Sequence, residues 1–194
     1  FIYSSQKNHE LCYATSSYPD RAFRYGGTLV SNGDVGCCGR KEHERCNATG
    51  TTHGSMECIG GQWYVFYHRL THGSDYSRQM CAEPLLLRPD GSISQAEMTS
   101  CGLNGGDLPG KGEYPAAICC NLTNGKMPHI ANQILKDIPC VTNYGEEWYV
   151  GNAAKGTLAA YKYFSIQKHT KLCVTARGTG TMQISLKDEC IGTL

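Results

Sequence analysis

The chain has no long apolar run, no sustained helical period and no excess of charge of either sign. A membrane-spanning helix needs about 20 apolar residues in succession, so none is legible here. Lysine and arginine total 18 against 17 aspartates and glutamates, a net charge of +1. That balance gives no electrostatic reason to expect nucleic acid or an anionic membrane as partner. The basic residues are scattered and form no stripe interleaved with aromatics. A Gly-x-Ser-x-Gly elbow is missing, and the glycines between 102 and 112 follow no strand-to-helix pattern that would cradle a phosphate. No Cys-x-x-Cys pair occurs, which argues against the common zinc fingers and ribbons. Phe1 opens no charged and then apolar leader. Residues 1–5 read as the middle of a strand, so the chain is expected to be cut from a longer one.

What the chain does have is strand chemistry. β-branched and aromatic residues recur in short runs bounded by turn residues. The expected strands are residues 1–5, 10–16, 28–31, 54–59, 63–68, 79–87 and 93–99. Turns are expected at Tyr18-Pro-Asp20, Ser31-Asn-Gly-Asp34, Gly60-Gly61 and Arg88-Pro-Asp-Gly91, the last a strong hairpin signal. Strands at this spacing suit four-stranded antiparallel propeller blades. Residues 101–112 hold five glycines and a proline and are expected to form a linker between residues 1–100 and 113–194. Strands are then expected at 114–121, 147–150, 157–164, 171–176 and 182–186. A weak helix signal covers 127–136.

The twelve cysteines are many for a cytosolic protein, and Asn47-Ala-Thr49 and Asn121-Leu-Thr123 fit the glycosylation sequon. Both point towards an extracellular location. Buried, reduced cysteines are the alternative. Cys37, Cys38, His43 and Cys46 fit no standard zinc spacing, and a disulfide or exposed thiols is the expectation there.

Five pieces carry a family resemblance: Asn8-His-Glu-Leu-Cys-Tyr-Ala-Thr15, Val30-Ser-Asn-Gly-Asp34, His53-Gly-Ser55, Trp63-Tyr-Val-Phe-Tyr-His-Arg69 and Glu97-Met-Thr-Ser-Cys-Gly-Leu-Asn-Gly105. With Ser77-Arg-Gln-Met-Cys-Ala-Glu-Pro84 they resemble, in order and spacing, the C-terminal part of glycoside hydrolase family 43, the five-bladed β-propeller arabinofuranosidases and xylosidases. Residues 113–194 look like part of a jelly-roll β-sandwich similar to carbohydrate-binding modules of family 6. They fall short of the roughly 100 residues that a complete sandwich needs.

The resemblance implies an all-β chain, the last blades of a propeller followed by a partial sandwich. It implies an inverting glycosidase acting on plant polysaccharide that contains arabinose or xylose. Inversion uses a carboxylate base and a carboxylic acid, and neither has a matching position here, so no residue of this chain is assigned as catalytic. By the same likeness His53 points into the central channel, touches the sugar site and ligates or supports a calcium ion, often through water. Water mediation suits an imidazole beside a cation that prefers oxygen. Arg78 matches an arginine that reaches the substrate subsite, where a guanidinium fork suits sugar hydroxyls. The plain alternative for Arg78 is an ion pair with Glu83 or Asp75.

Other residues are read as structural. Asn32 and Asp34 are taken as turn chemistry. Trp63, Tyr64, Phe66 and Tyr67 are assigned to packing. His68 and Arg69 are read as a solvated strand end. Leu11, Val65 and Leu85 are expected to be left incompletely packed if most blades are missing. A non-catalytic carbohydrate-binding protein and a cystine-rich extracellular module stand as alternatives to the enzyme.

Overall fold

A computed structural model describes residues 1–129, 134–168, 170–187 and 189–194. The chain is all-β, as the sequence predicts, and among the described residues the only helical pieces are single 3-10 turns. Two three-stranded antiparallel sheets form its centre. The first joins β1 (Ile2–Ser4), β2 (Leu11–Thr15) and β3 (Arg24–Val30). The second joins β4 (Gly54–Ile59), β5 (Gln62–Thr71) and β6 (Ser74–Leu85). Each hairpin of the second sheet closes through two residues with positive φ, Gly60-Gly61 and His72-Gly73. This mirror-image turn matches the twist of the flanking strands, and the first pair is glycine because only glycine adopts it without strain.

The expected fourth strand, residues 93–99, joins neither sheet as a strand. It touches them through isolated bridges at Leu87↔Ile93 and Val30↔Ala96. Side-chain carboxylates take two of its backbone donors. The Met98 N–H donates to Asp34 Oδ1 at 2.9 Å and the Thr99 N–H to Glu83 Oε1 at 2.7 Å. A segment whose amides are held this way has no ladder to extend.

Leu11, Tyr13, Leu29, Val30, Val65, Tyr67, Leu85, Ala96, Met98 and Cys120 form the main core between the two sheets. Leu11, Val65 and Leu85 are 2%, 0% and 4% exposed, so the expectation that they lack packing is corrected. Cross-sheet contact and residues 96–98 cover them. Ala117, Cys119, Leu122 and Val141 form a second cluster backed by Val150.

Short ladders follow. β7 (Leu108–Pro109) runs parallel to β12 (Phe164–Ser165), and β8 (Asn121–Thr123) pairs with β11 (Leu158–Ala160). β9 (Cys140–Tyr144) pairs with β10 (Glu147–Gly151), and β13 (Gln183–Leu186) with β14 (Glu189–Thr193). Residues 171–176 carry no strand. The helix expected over 127–136 falls partly outside the described residues. Its described ends instead make bridges, Thr49↔His129 and Ser74↔Ile134.

Candidate functional site

The second sheet places His53 and Arg78 on one face. Gly54 pairs with Tyr67, so the next step of that register brings His53 beside His68. Gly54 has a physical reason to be glycine, because a Cβ there would collide with the Phe66 carbonyl oxygen and with Leu11. The close approach of β4 to β5 thus depends on the middle residue of His53-Gly54-Ser55. The His53 and His68 rings stack with centroids 5.8 Å apart at 29°.

Across the other hairpin Leu70 pairs with Arg78 and His68 with Met80. Alternation along the strands then sets Arg78 on the same face as His68 and His53. The Arg78 guanidinium donates to Thr51 Oγ1 from Nε at 3.4 Å and from Nη2 at 3.3 Å. Of the two ion-pair partners weighed for Arg78, Glu83 lies on the opposite face. It accepts from the Tyr67 hydroxyl at 3.2 Å and the Thr99 hydroxyl at 2.6 Å.

His68 is the residue that sequence reasoning missed. It is not a solvated strand end, because β5 continues to Thr71. Both of its ring nitrogens are buried and have no hydrogen-bond partner. Burial, then Arg78, then His53 push its pKa down to about 4, so near pH 7 the ring is neutral. A neutral imidazole offers one N–H donor and one acceptor lone pair. A hydroxyl group, itself donor and acceptor, complements both. The signal available in the sequence was the His72-Gly73 turn, which moves the strand end past residue 68.

Arg69 departs from its reading in the same way. It is 5% exposed. Its guanidinium donates to the Ala117 and Cys119 carbonyls, and Nε donates to Gln79 Oε1 at 2.8 Å. The turn at Ser31–Asp34 is real, closed by Asp34 N to Ser31 O at 2.8 Å, but Asp34 does more than turn the chain. Its fully buried carboxylate meets Arg40 and Lys162, each at 3.3 Å. Tyr64 and Tyr67 pack as expected at 5% and 3% exposure, whereas Trp63 is 37% exposed.

All twelve cysteines are free thiols, so of the two expectations around Cys37, Cys38 and Cys46 it is the free thiols that hold, exposed at Cys38 but half-buried at Cys37 and buried at Cys46. Burial and the nearby Asp34 carboxylate raise the Cys37 thiol to about 12. The two sequon asparagines are 6% and 4% exposed. Asn47 Nδ2 donates to the Asn32 and Cys120 carbonyls, and Asn121 Nδ2 donates to Asp34 Oδ2.

The face around His53 does not by itself fit a calcium ion. It offers two imidazoles and the Thr51 hydroxyl beside a cationic guanidinium that has no lone pair to give, and the charged neighbours that act on His68 include no carboxylate. Calcium takes six to eight oxygens.

No family model matches the chain. A curated xylosidase/arabinosidase from Thermoclostridium stercorarium is 41% identical over 208 residues, across 100% of this chain and 44% of that protein. A family 43 enzyme from Xanthomonas citri, solved with xylose, is 32% identical over 48% of this chain and 25% of its own, with a TM-score of 0.37. A family 43 β-xylosidase/α-arabinofuranosidase from a compost metagenome, solved with xylotriose in a calcium-free form, is 27% identical over 48% of this chain and 25% of its own, at 0.36. An arabinoxylan arabinofuranohydrolase of the same family from Bacillus subtilis, solved with cellotetraose, is 22% identical over 61% of this chain and 24% of its own, at 0.40. Over its whole length the chain is similar to part of a xylosidase/arabinosidase, and over about half of it to enzymes of glycoside hydrolase family 43, the likeness its motifs imply. It spans less than half the length of the curated relative it matches.

Proposed function

We propose that this chain forms part of a glycosidase that releases arabinose or xylose from plant cell-wall polysaccharide or oligosaccharide, and that its His53–His68–Arg78 face contributes to the sugar site. The observation that carries this reading is the 41% identity to a xylosidase/arabinosidase along the whole chain. The unpartnered nitrogens of neutral His68 beside Arg78 supply chemistry suited to hydroxyl groups.

The inverting acid and base carboxylates are assigned outside residues 1–194. Within the chain, the buried carboxylates of Glu83 and Asp34 are engaged with their own neighbours, which supports leaving them out of the chemistry. Calcium enters only as a water-mediated neighbour of His53, with its oxygen ligands drawn from elsewhere. Residues 113–194 as a partial carbohydrate-binding unit, and an extracellular location, belong to the same proposal.

Two measurements test it. The purified segment should not turn over 4-nitrophenyl arabinofuranoside or xyloside, since loss of a catalytic carboxylate typically removes several orders of magnitude in rate. Xylotriose titrated into the labelled segment should shift the His53, His68 and Arg78 side-chain resonances. Turnover within tenfold of a full-length relative would refute the assignment of the carboxylates. Unmoved His68 and Arg78 signals at saturating sugar would refute the site.

A further inference from the structure

A second pair of histidines, His9 and His129, also stacks ring on ring. His9 sits in the tight turn between β1 and β2, where Asn8 and His9 both have positive φ, 59° and 48°. His129 lies 120 residues later, bridged in parallel to Thr49. The two rings stack at 5.0 Å and 21°, and His9 Nδ1 lies 3.2 Å from His129 Nε2. We propose that His9 Nδ1 and His129 Nε2 form a two-imidazole site for a borderline divalent transition metal of the zinc, nickel and copper class, with water completing the coordination shell.

Two features carry this. The first is spacing. Metal–nitrogen bonds of about 2.0–2.1 Å place two ligand nitrogens about 3.3 Å apart at a tetrahedral angle and about 2.9 Å apart at a right angle. The observed 3.2 Å falls between them.

The second is orientation. The other nitrogen of His129, Nδ1, lies 2.9 Å from the hydroxyl of Thr49, a residue only 2% exposed. With Nδ1–H donated to Thr49 Oγ1, the Nε2 lone pair is left facing His9. Ligating histidines are commonly fixed this way, by an oxygen that accepts the second ring N–H. The Thr49 N–H also donates to the Pro128 carbonyl at 3.0 Å, which anchors the hydroxyl relative to the ring.

Among the described residues no group of three or more His, Cys, Asp or Glu side chains gathers to hold a metal, here or elsewhere. The site is a two-ligand one on the surface, open to water and to a buffer ligand. A hard oxygen-seeking cation is not its match. Its structural effect is to cross-link the 8–9 turn to the segment at 127–129, far apart in sequence.

The test uses nickel chloride as probe, read by calorimetry and by long-range proton–nitrogen spectra of the imidazoles. The twelve thiols are competing ligands, so the comparison is between variants. One equivalent of nickel should broaden the His9 and His129 ring signals before that of the exposed His43. His9→Gln and His129→Gln should each weaken binding at least tenfold, and His43→Gln should leave it unchanged. Thr49→Val should weaken it about tenfold, the low end for loss of an orienting partner. Nickel should raise the unfolding temperature of the wild type and not that of His9→Gln. His9 lies in a surface turn, so its variant serves if His129→Gln folds poorly. An isotherm unchanged in His9→Gln, or His9 and His129 signals intact at one equivalent, would overturn the proposal.

Discussion

The Lys162 ammonium lies 3.3 Å from the Asp34 carboxylate, joining residues 128 positions apart. Asp34 is fully buried and also receives Arg40, Asn121 and the Met98 N–H. Lys162 reaches on to Glu97 at 2.7 Å. Burial alone would lower the Lys162 pKa, but Glu97 and Asp34 raise it above the usual lysine value. This buried network ties the Ser31–Asp34 turn after β3 to the segment between β11 and β12.

Asp34→Ala should destabilise the fold by about 3–5 kcal/mol, because two cations then lose a buried partner. Lys162→Met should cost less, since Asp34 keeps Arg40. Urea unfolding at neutral pH measures both. A loss below about 1 kcal/mol for Asp34→Ala would mean that the network does not anchor the fold.

Glu83 should make the protein less stable as pH rises. Burial lifts its carboxyl from 4.5 to about 7, despite hydrogen bonds from Thr99 and Tyr67 that oppose the shift. Below about pH 4.5 both folded and unfolded chains are protonated there, and the contribution is fully present. Between 4.5 and 7 the unfolded chain ionises while the folded one resists, so stability falls by up to about 3 kcal/mol. Glu83→Gln should flatten this dependence. An unchanged slope in thermal melts from pH 4.5 to 7.5 would count against it.

His68 acts with the opposite sign over an overlapping range. Its pKa is lowered from 6.5 to about 4, so the unfolded chain takes up a proton before the folded one. Stability tied to His68 is present above pH 6.5 and is lost as pH falls towards 4. His68→Phe should remove this acid limb while leaving the Glu83 limb in place. Melts of the two variants across the same range separate the effects, and an acid limb that survives in His68→Phe rejects the assignment.

Arg69→Met should be strongly destabilising. It strips the Ala117 and Cys119 carbonyls of a donor, and each unsatisfied buried group costs about 1–3 kcal/mol. Arg69→Lys should rescue only part, since one ammonium cannot reproduce a planar fork. Equal stability of the two variants would rule out a role for the fork.

Of the twelve thiols, Cys38, Cys58, Cys173 and Cys190 are exposed. A native titration with a disulfide reagent should therefore show four fast-reacting groups, and denaturation should release the rest. Fewer than twelve thiols in denaturant would mean that disulfides form.

The sequence by itself determined the all-β class, the Gly60-Gly61 hairpin and the family likeness. These rest on local alternation, on turn residues that need positive φ and on ordered motifs. It also named His53 and Arg78. It did not show that His68 stands between them or that Arg69 is buried, because both depend on where β5 ends and which face it covers. Nor did it show the carboxylates of Asp34 and Glu83 holding residues 98 and 99 in place of a fourth strand. Turn chemistry accounts for Asp34 locally, and only packing against residues 98, 121 and 162 turns it into a buried anchor. Burial, charge partners and the pairing of His9 with His129 arise from contacts between distant parts of the chain. No local pattern encodes them, so tertiary structure alone decided them.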